Sequence, residues 1–339
     1  MKQILLTGGC GYIGSHTAVE LQQNGYDVIL ADNLSNSKIE VLDGIEKITG
    51  KRPLFEKTDF RDKEQTNKLF EKYGGFDGII HFAAFKAVAE SIQKPMMYYD
   101  NNMLSSINII NACLKYSQSP KLVFSSSCTV YGIPDKLPVD ESMPMREPTS
   151  PYGKTKLFTE YMLSDTIKQN PSFKAISLRY FNPIGAHPSL EIGESPLKTY
   201  NLIPILTETA IGKRKEILIF GDDYPTADGT PVRDYIHVVD VAKAHVKAME
   251  RLLSNKNKTD YEYFNIGVGK GYSVMEIIKT FEKVSGKKIP YRITNRREGD
   301  IAEIYASTDL AEKELAWKAM FDLEEMLRTA WLWEVNKKF

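Results

Sequence analysis

Across its 339 residues this chain carries only 3 cysteines and 5 histidines. Cys10, Cys113 and Cys128 are widely separated and odd in number, which argues against a disulfide framework and for a reducing compartment. The histidines are equally dispersed, no HExxH or CxxC occurs, and no His/Cys/Asp/Glu cluster has ligand spacing, so no metal is expected. The opening MKQILLTGG lacks the charged, apolar and cleavage regions of a signal peptide, and no apolar run reaches the length of a membrane span. The expectation is a cytoplasmic protein with no membrane partner. Net charge is lacking too: 44 Lys and Arg offset 44 Asp and Glu, leaving no field to gather nucleic acid. Any anion must therefore be bound locally. With 42% hydrophobic residues the chain can bury a sizeable core, as one large domain or two closely associated ones.

What is present is alternation. Short apolar or β-branched runs, QILLT, DVILAD, PLFEKTD, GIIHFAA, KLVFSSS and KAISLRY, are separated by segments of helix length. The pattern predicts buried parallel strands with crossover helices on both faces, a doubly wound α/β sheet of the Rossmann type. After Asn182 the texture changes to Pro- and Gly-rich stretches, with further apolar runs EILIF and YEYFNIG around a helical VVDVAKAHVKAMERLL. The expected division is a Rossmann part mainly over 1–182 and a smaller α/β substrate lobe mainly over 183–339, with segments near 232–267 returning to the first part.

TGGCGYIGS follows the first strand and leads into a helical pattern in which Ile13, Thr17 and Leu21 share a face and Gly25 offers a C-cap. Gly9, Gly11 and Gly14 satisfy GxGxxG, while Gly8, Gly11 and Gly14 satisfy GxxGxxG. Either frame lets backbone N–H groups approach a pyrophosphate at a helix N-terminus. Asp32 ends the second strand, 18 positions after Gly14. A carboxylate there accepts hydrogen bonds from a ribose and repels a 2′-phosphate, favouring NAD over NADP. Asp59 and the run HFAAFK end the next two strands, where the sheet's carboxyl edge meets a ligand; Asp59 suits an adenine contact or a turn.

SPYGKTK, residues 150–156, begins a helix, with Ser150 as N-cap and Pro151 in the first turn. Tyr152 and Lys156 then share one helix face. A tyrosine acting as a base near neutral pH needs its pKa lowered from about 10 to about 7, which costs about 4 kcal/mol. A nearby ammonium and an oxidised nicotinamide together supply such a charge. KLVFSSS ends 25 positions earlier, and a serine there can bind the same substrate oxygen; strand alternation does not choose between Ser125 and Ser127.

The ordered motifs GGCGYIGSHT, ADNLSNS, HFAAFKAVAESIQKP, YYDNN, FSSSCTVYG, SPYGKTK, LRYFNPIGAHPS, FGDDYPTADGTPVRDYIHV and RREGD run almost end to end. On these the chain resembles the extended short-chain dehydrogenases/reductases. That resemblance implies Tyr152 as catalytic base, Lys156 as its electrostatic partner and ribose ligand, and Ser127 as the hydroxyl placing a sugar O4. It implies NAD contacts from Tyr12, Ile13, Asp32, Asn33, Asn36, Ser37, Asp59, Phe60, Phe82, Ala83, Lys86, Asn101 and Phe181, beside Gly8, Gly11 and Gly14. For a UDP-sugar it implies Thr129, Tyr180, Asn182, Asn201, Leu202, Phe220, Arg233, Tyr235, Arg297 and Asp300. The implied reaction is the interconversion of UDP-glucose and UDP-galactose. C4 is oxidised to a 4-keto sugar, the sugar turns over, and hydride returns to the opposite face, with no net redox change. A homodimer is also implied.

Physical sense supports the second group, since a pyrophosphate in the appended lobe needs cations and each arginine offers a planar fork of donors. Relatives with dehydratase chemistry carry an acid pair where this chain has Cys128 and Thr129, which weighs against 4,6-dehydration. Ala84 and Phe85 stand where Gly and Leu are more usual. Ile304, at a position that gates the hexose pocket in relatives, is intermediate between a large aromatic and a small residue, so activity on UDP-N-acetylhexosamines is a further expectation.

Overall fold

The structure, a computed structural model, describes residues 1–297 and 300–339; Glu298 and Gly299, within RREGD, lie outside the described residues. The chain begins with β1 (Gln3–Thr7), α1 (Tyr12–Gln23), β2 (Asp27–Asp32), α2 (Val41–Thr49), β3 (Leu54–Lys57), α3 (Lys63–Tyr73) and β4 (Gly78–His81). Helices α4 (Val88–Gln93) and α5 (Pro95–Tyr116) lead to β5 (Lys121–Ser127), a 3-10 turn over Cys128–Tyr131, α6 (Pro151–Gln169) and β6 (Lys174–Tyr180). Then come β7 (Asn182–Ile184), α7 (Leu202–Ala210), β8 (Ile217–Phe220), β9 (Val232–His237), α8 (Val238–Leu253) and β10 (Tyr261–Ile266). The remainder is β11 (Gly271–Ser273), α9 (Val274–Ser285), β12 (Tyr291–Thr294), β13 (Glu303–Ile304), α10 (Asp309–Leu315) and α11 (Leu323–Asn336).

Seven parallel strands form one sheet in the order β3-β2-β1-β4-β5-β6-β10. The winding reverses between β1 and β4, and at that switch point connections leave the carboxyl edge in opposite directions and open a crevice. Strand alternation explains why both faces are covered. In β1, Ile4 and Leu6 join the core under α1, α2 and α8, whereas Leu5 joins the core under α3, α5 and α6. One strand departs from the buried pattern expected of it. Leu54 in β3 is 58% exposed, because β3 is an edge strand paired only with β2.

The second body of structure has its own core, in which Leu206, Ile217, Ile219, Phe281 and Leu327 from α7, β8, α9 and α11 meet. The chain moves between the two. β9 lies in a small sheet with β7, β11 and β13, α8 packs beside α1, and β10 is the edge strand of the large sheet. The carboxyl edge of the large sheet therefore faces β7, β9 and β13, which carry Asn182, Arg233, Tyr235 and Ile304 of the opposite wall.

Candidate active site

One cavity of about 810 Å³ runs from the glycine turn to the second lobe. Its first part is the turn after β1. Gly8 has φ +68°, and a Cβ there would lie 2.7 Å from the backbone N of Ala83, so only glycine lets the two loops approach. Gly8, Gly11 and Gly14 line the cavity, and Gly9 is absent from its wall; the GxxGxxG frame is the one that faces the space. Gly11 provides no capping side chain for α1, which leaves first-turn N–H groups aimed at the cavity. Asp32 also lines it. Its Oδ1 accepts from Leu34 N at 2.8 Å and Ser37 Oγ at 2.9 Å, and its Oδ2 from Cys10 N at 3.1 Å, so it closes a turn and presents its carboxylate at once. Burial pushes this carboxyl above its ordinary pKa.

Cradle, uncapped helix and carboxylate together fit a dinucleotide. Tyr12, Ile13, Asn33, Asn36, Phe60, Phe82, Ala83, Lys86, Asn101 and Phe181 extend the same wall. Asp59 does not: Arg61 holds its carboxylate, Nη2 to Oδ2 at 2.6 Å, and keeps its pKa low. Lys86 Nζ lies 5.3 Å from the centre of the Tyr12 ring and pairs with Glu194 at 2.8 Å. Glu194 lines the cavity too, yet it sits in a loop where no spacing singles it out.

Deeper in, α6 starts as its sequence predicts. Ser150 Oγ accepts from Gly153 N at 3.2 Å, and Pro151 occupies the first turn. Tyr152 and Lys156 are both buried and both line the cavity. Lys156 Nζ donates to the Ser125 carbonyl at 2.6 Å and lies 5.8 Å from the Tyr152 ring centre. The expected charge on the phenol is not delivered by the lysine alone. Burial pushes Tyr152 well above its ordinary pKa and lowers Lys156 to about 7, because both groups have left water without a counter-charge in contact.

The two serines divide their work. Ser125 hydrogen-bonds through its hydroxyl to Tyr180, while Ser127 Oγ caps the 3-10 turn by accepting from Thr129 N at 3.3 Å. Thr129 Oγ1 is buried in the cavity wall with no hydrogen-bond partner among the described residues, a group available to a polar ligand. Burial pushes the Cys128 thiol up to about 12, so it stands as a neutral thiol.

Across the cavity stand Asn182, Asn201, Leu202, Arg233, Tyr235, Arg297, Asp300 and Ile304. Arg233 Nη2 reaches Asp300 Oδ1 at 3.1 Å, and the guanidinium carbon of Arg297 stands over the Phe220 ring, 3.7 Å from its centre. Phe220 is thus outside the lining and supports an arginine that is in it. Ile304 is buried beside Cys128 and Phe181 and pairs in register with Arg233. Ala84 and Phe85 also line the space, and Asn102 fixes that loop by accepting from Phe85 N at 2.9 Å.

A glycine cradle at the switch point of a doubly wound sheet, facing a buried tyrosine–lysine pair, defines an NAD-linked enzyme of the short-chain dehydrogenase/reductase class. More narrowly, the chain belongs to the NAD dependent epimerase/dehydratase family, whose model matches residues 4–267. It is 48% identical over 332 residues to the UDP-glucose 4-epimerase of Bacillus subtilis, covering 98% of this chain and 96% of that one. The solved UDP-glucose 4-epimerase of Bifidobacterium longum, in complex with NAD+ and UDP, superposes with a TM-score of 0.94 at 45% identity, over 99% of this chain and 98% of that one. A UDP-Glc/GlcNAc 4-epimerase from Campylobacter jejuni gives 0.85 at 37%, over 99% of this chain and 100% of that one.

Proposed function

We propose that this protein is an NAD-dependent UDP-glucose 4-epimerase, interconverting UDP-glucose and UDP-galactose through a 4-keto sugar. The observation that carries the reading is one continuous cavity with a dinucleotide cradle at one end, two arginines at the other, and Tyr152, Lys156 and Ser127 on its wall between them. Residues 1–182 mainly form the NAD-holding part, joined by segments near 232–267, and 183–339 mainly form the lobe that holds the UDP-sugar. Bound NAD supplies the hydride acceptor and donor at C4. Tyr152 removes the C4 hydroxyl proton and later returns it, Ser127 orients that oxygen, and Lys156 supplies positive charge and a ribose contact. Arg233 and Arg297 anchor the diphosphate. At the hexose end Thr129 offers a buried hydroxyl that has no partner among the described residues, and the aliphatic wall of Ile304 leaves the sugar free to turn.

Three buried free cysteines support a cytoplasmic location. Among the described residues no helix is long and apolar enough to cross a membrane. Aliphatic Ile304 in place of an aromatic supports UDP-N-acetylhexosamines as further substrates. A homodimer is supported by the apolar surface of α5 and α6, taken up in the Discussion.

The test is incubation with UDP-galactose in deuterated water without added reductant. UDP-glucose should form with its original C4 hydrogen conserved; a product of changed mass, or deuterium at C4, overturns the reading.

A further inference from the structure

Behind the catalytic pair lies a second pair that the reaction does not use directly. Tyr152, Lys156 and Glu160 recur every four residues along α6, so Glu160 shares their face one turn further on. Its side chain is 2% exposed and pairs with Arg179 of β6, which is 1% exposed. The contact is bidentate: Arg179 Nη2 to Glu160 Oε2 at 2.6 Å and Nε to Oε1 at 3.0 Å. Desolvating two charges costs roughly what their attraction returns, so such a pair is weak evidence of added stability.

Its connections point instead to the site. Ser126 Oγ, between Ser125 and Ser127, donates to Glu160 Oε1 at 2.5 Å. Lys156 Nζ donates to the carbonyl of Ser125, and Ser127 caps the turn that carries Thr129. Arg179 Nη1 donates to Tyr131 Oη at 3.0 Å, at the end of that same turn. Tyr131 donates onward to Asn265 Oδ1 at 2.7 Å, and Asn265 Nδ2 donates to the carbonyl of Val139. Val139 in turn accepts from Ser307 N and donates to Tyr305 O, next to Ile304.

Building on the function proposed above, we propose that Glu160 and Arg179 are positioning residues. They clamp the end of β5 and the Cys128–Tyr131 turn onto α6, holding the Lys156 ammonium and the Ser127 hydroxyl in register with Tyr152. A charge effect runs alongside. Burial lowers Lys156 while the Glu160 carboxylate raises it. The other groups facing Lys156 are Tyr152 on its own helix, the Phe124 ring on β5, and His81 on β4, which burial keeps neutral with a pKa of about 3. Removing the Glu160 charge therefore moves the ammonium's loss to lower pH as pH rises.

Three variants test this: Ser126→Ala, which keeps the ion pair and cuts its link to β5; Tyr131→Phe, which cuts the link to the turn; and Glu160→Gln. Per NAD-loaded molecule, kcat should fall about 10- to 100-fold in the first two with KM changed by less than about twofold, as a misplacement near 1 Å would produce. In Glu160→Gln the alkaline limb of the kcat–pH profile should also move to lower pH. So should the titration of Lys156 in protein made with carbon-13-labelled lysine, the signal being assigned by its loss in Lys156→Met.

A purely structural role is the finding if losses follow only melting temperature and NAD-loaded fraction while kcat per loaded molecule and the Lys156 titration stay put; that overturns the proposal. Should Glu160→Gln fail to fold, unchanged kcat in Ser126→Ala overturns it alone. Wild-type protein that leaves UDP-galactose unconverted removes the functional reading, and the Lys156 titration then decides the positioning claim by itself.

Discussion

Using a phenol as a base is costly in proportion to how far its proton must be persuaded to leave. In this protein burial acts against that loss at Tyr152 and draws Lys156 down to about 7, so each group alone is poorly tuned. The positive charge that a bound oxidised nicotinamide would bring to this cavity would oppose the first effect and make the cofactor part of the phenol's acid–base chemistry. Tyr152→Phe keeps the ring and loses the oxygen. It should lower kcat by about 10²- to 10⁴-fold, the usual worth of a general base, with NAD still released on denaturation in stoichiometric amount. Turnover left intact would remove the phenolic oxygen from the mechanism. Ile304 makes a second residue-scale argument. It is buried in the cluster that holds Cys128 and Phe181 and it lines the cavity, so the space available beside that cluster depends on its side chain. Ile304→Gly should raise kcat/KM for UDP-N-acetylglucosamine relative to UDP-glucose in a coupled epimerase assay. Equal rejection of the acetamido sugar by both proteins would show that another residue sets the limit.

At the scale of elements, legibility in the sequence followed periodicity. KLVFSSS, KAISLRY and VVDVAKAHVKAMERLL coincide with β5, β6 and α8, because long apolar runs and a clean amphipathic stripe leave few alternatives. The start of α6 was readable from Ser150 and Pro151 because capping is local chemistry. What stayed hidden depends on distant partners. PLFEKTD forms a strand, but its exposure follows from having a neighbour on one side only. β13 is two residues long and exists because Val232 and Arg233 pair with it. At the site, Tyr152 and Lys156 were legible by helical spacing, whereas Lys156's actual acceptor is a backbone carbonyl, which no residue identity announces. Glu194 likewise meets Lys86 across 108 positions of chain, a pairing that no motif encodes.

For the whole molecule, the question is why the outer faces of α5 and α6 are so apolar. These helices pack side by side over the large sheet, and their inward residues fill its core. Yet Leu104, Ile107 and Leu114 on α5, with Phe158 and Tyr161 on α6, remain 37 to 45% exposed. On α5 the offsets of three and ten residues, and on α6 of three, keep each set on one helix face. Neighbouring apolar faces on two adjacent helices are what a second copy would cover, helix pair against helix pair. Full burial of one Leu or Phe side chain contributes about 1.5–3 kcal/mol, so charges introduced there on both helices should outweigh the association. The wild-type protein is expected to sediment as a dimer, with a melting temperature that rises with protein concentration. Leu104→Glu combined with Phe158→Glu should sediment as a monomer and lose that concentration dependence. A wild-type monomer, or a dimer indifferent to both charges, would place the interface elsewhere or abolish it. Tyr152 and Lys156 of α6 are buried on the opposite side of the helix and line the cavity, so dissociation should cost stability before it costs chemistry.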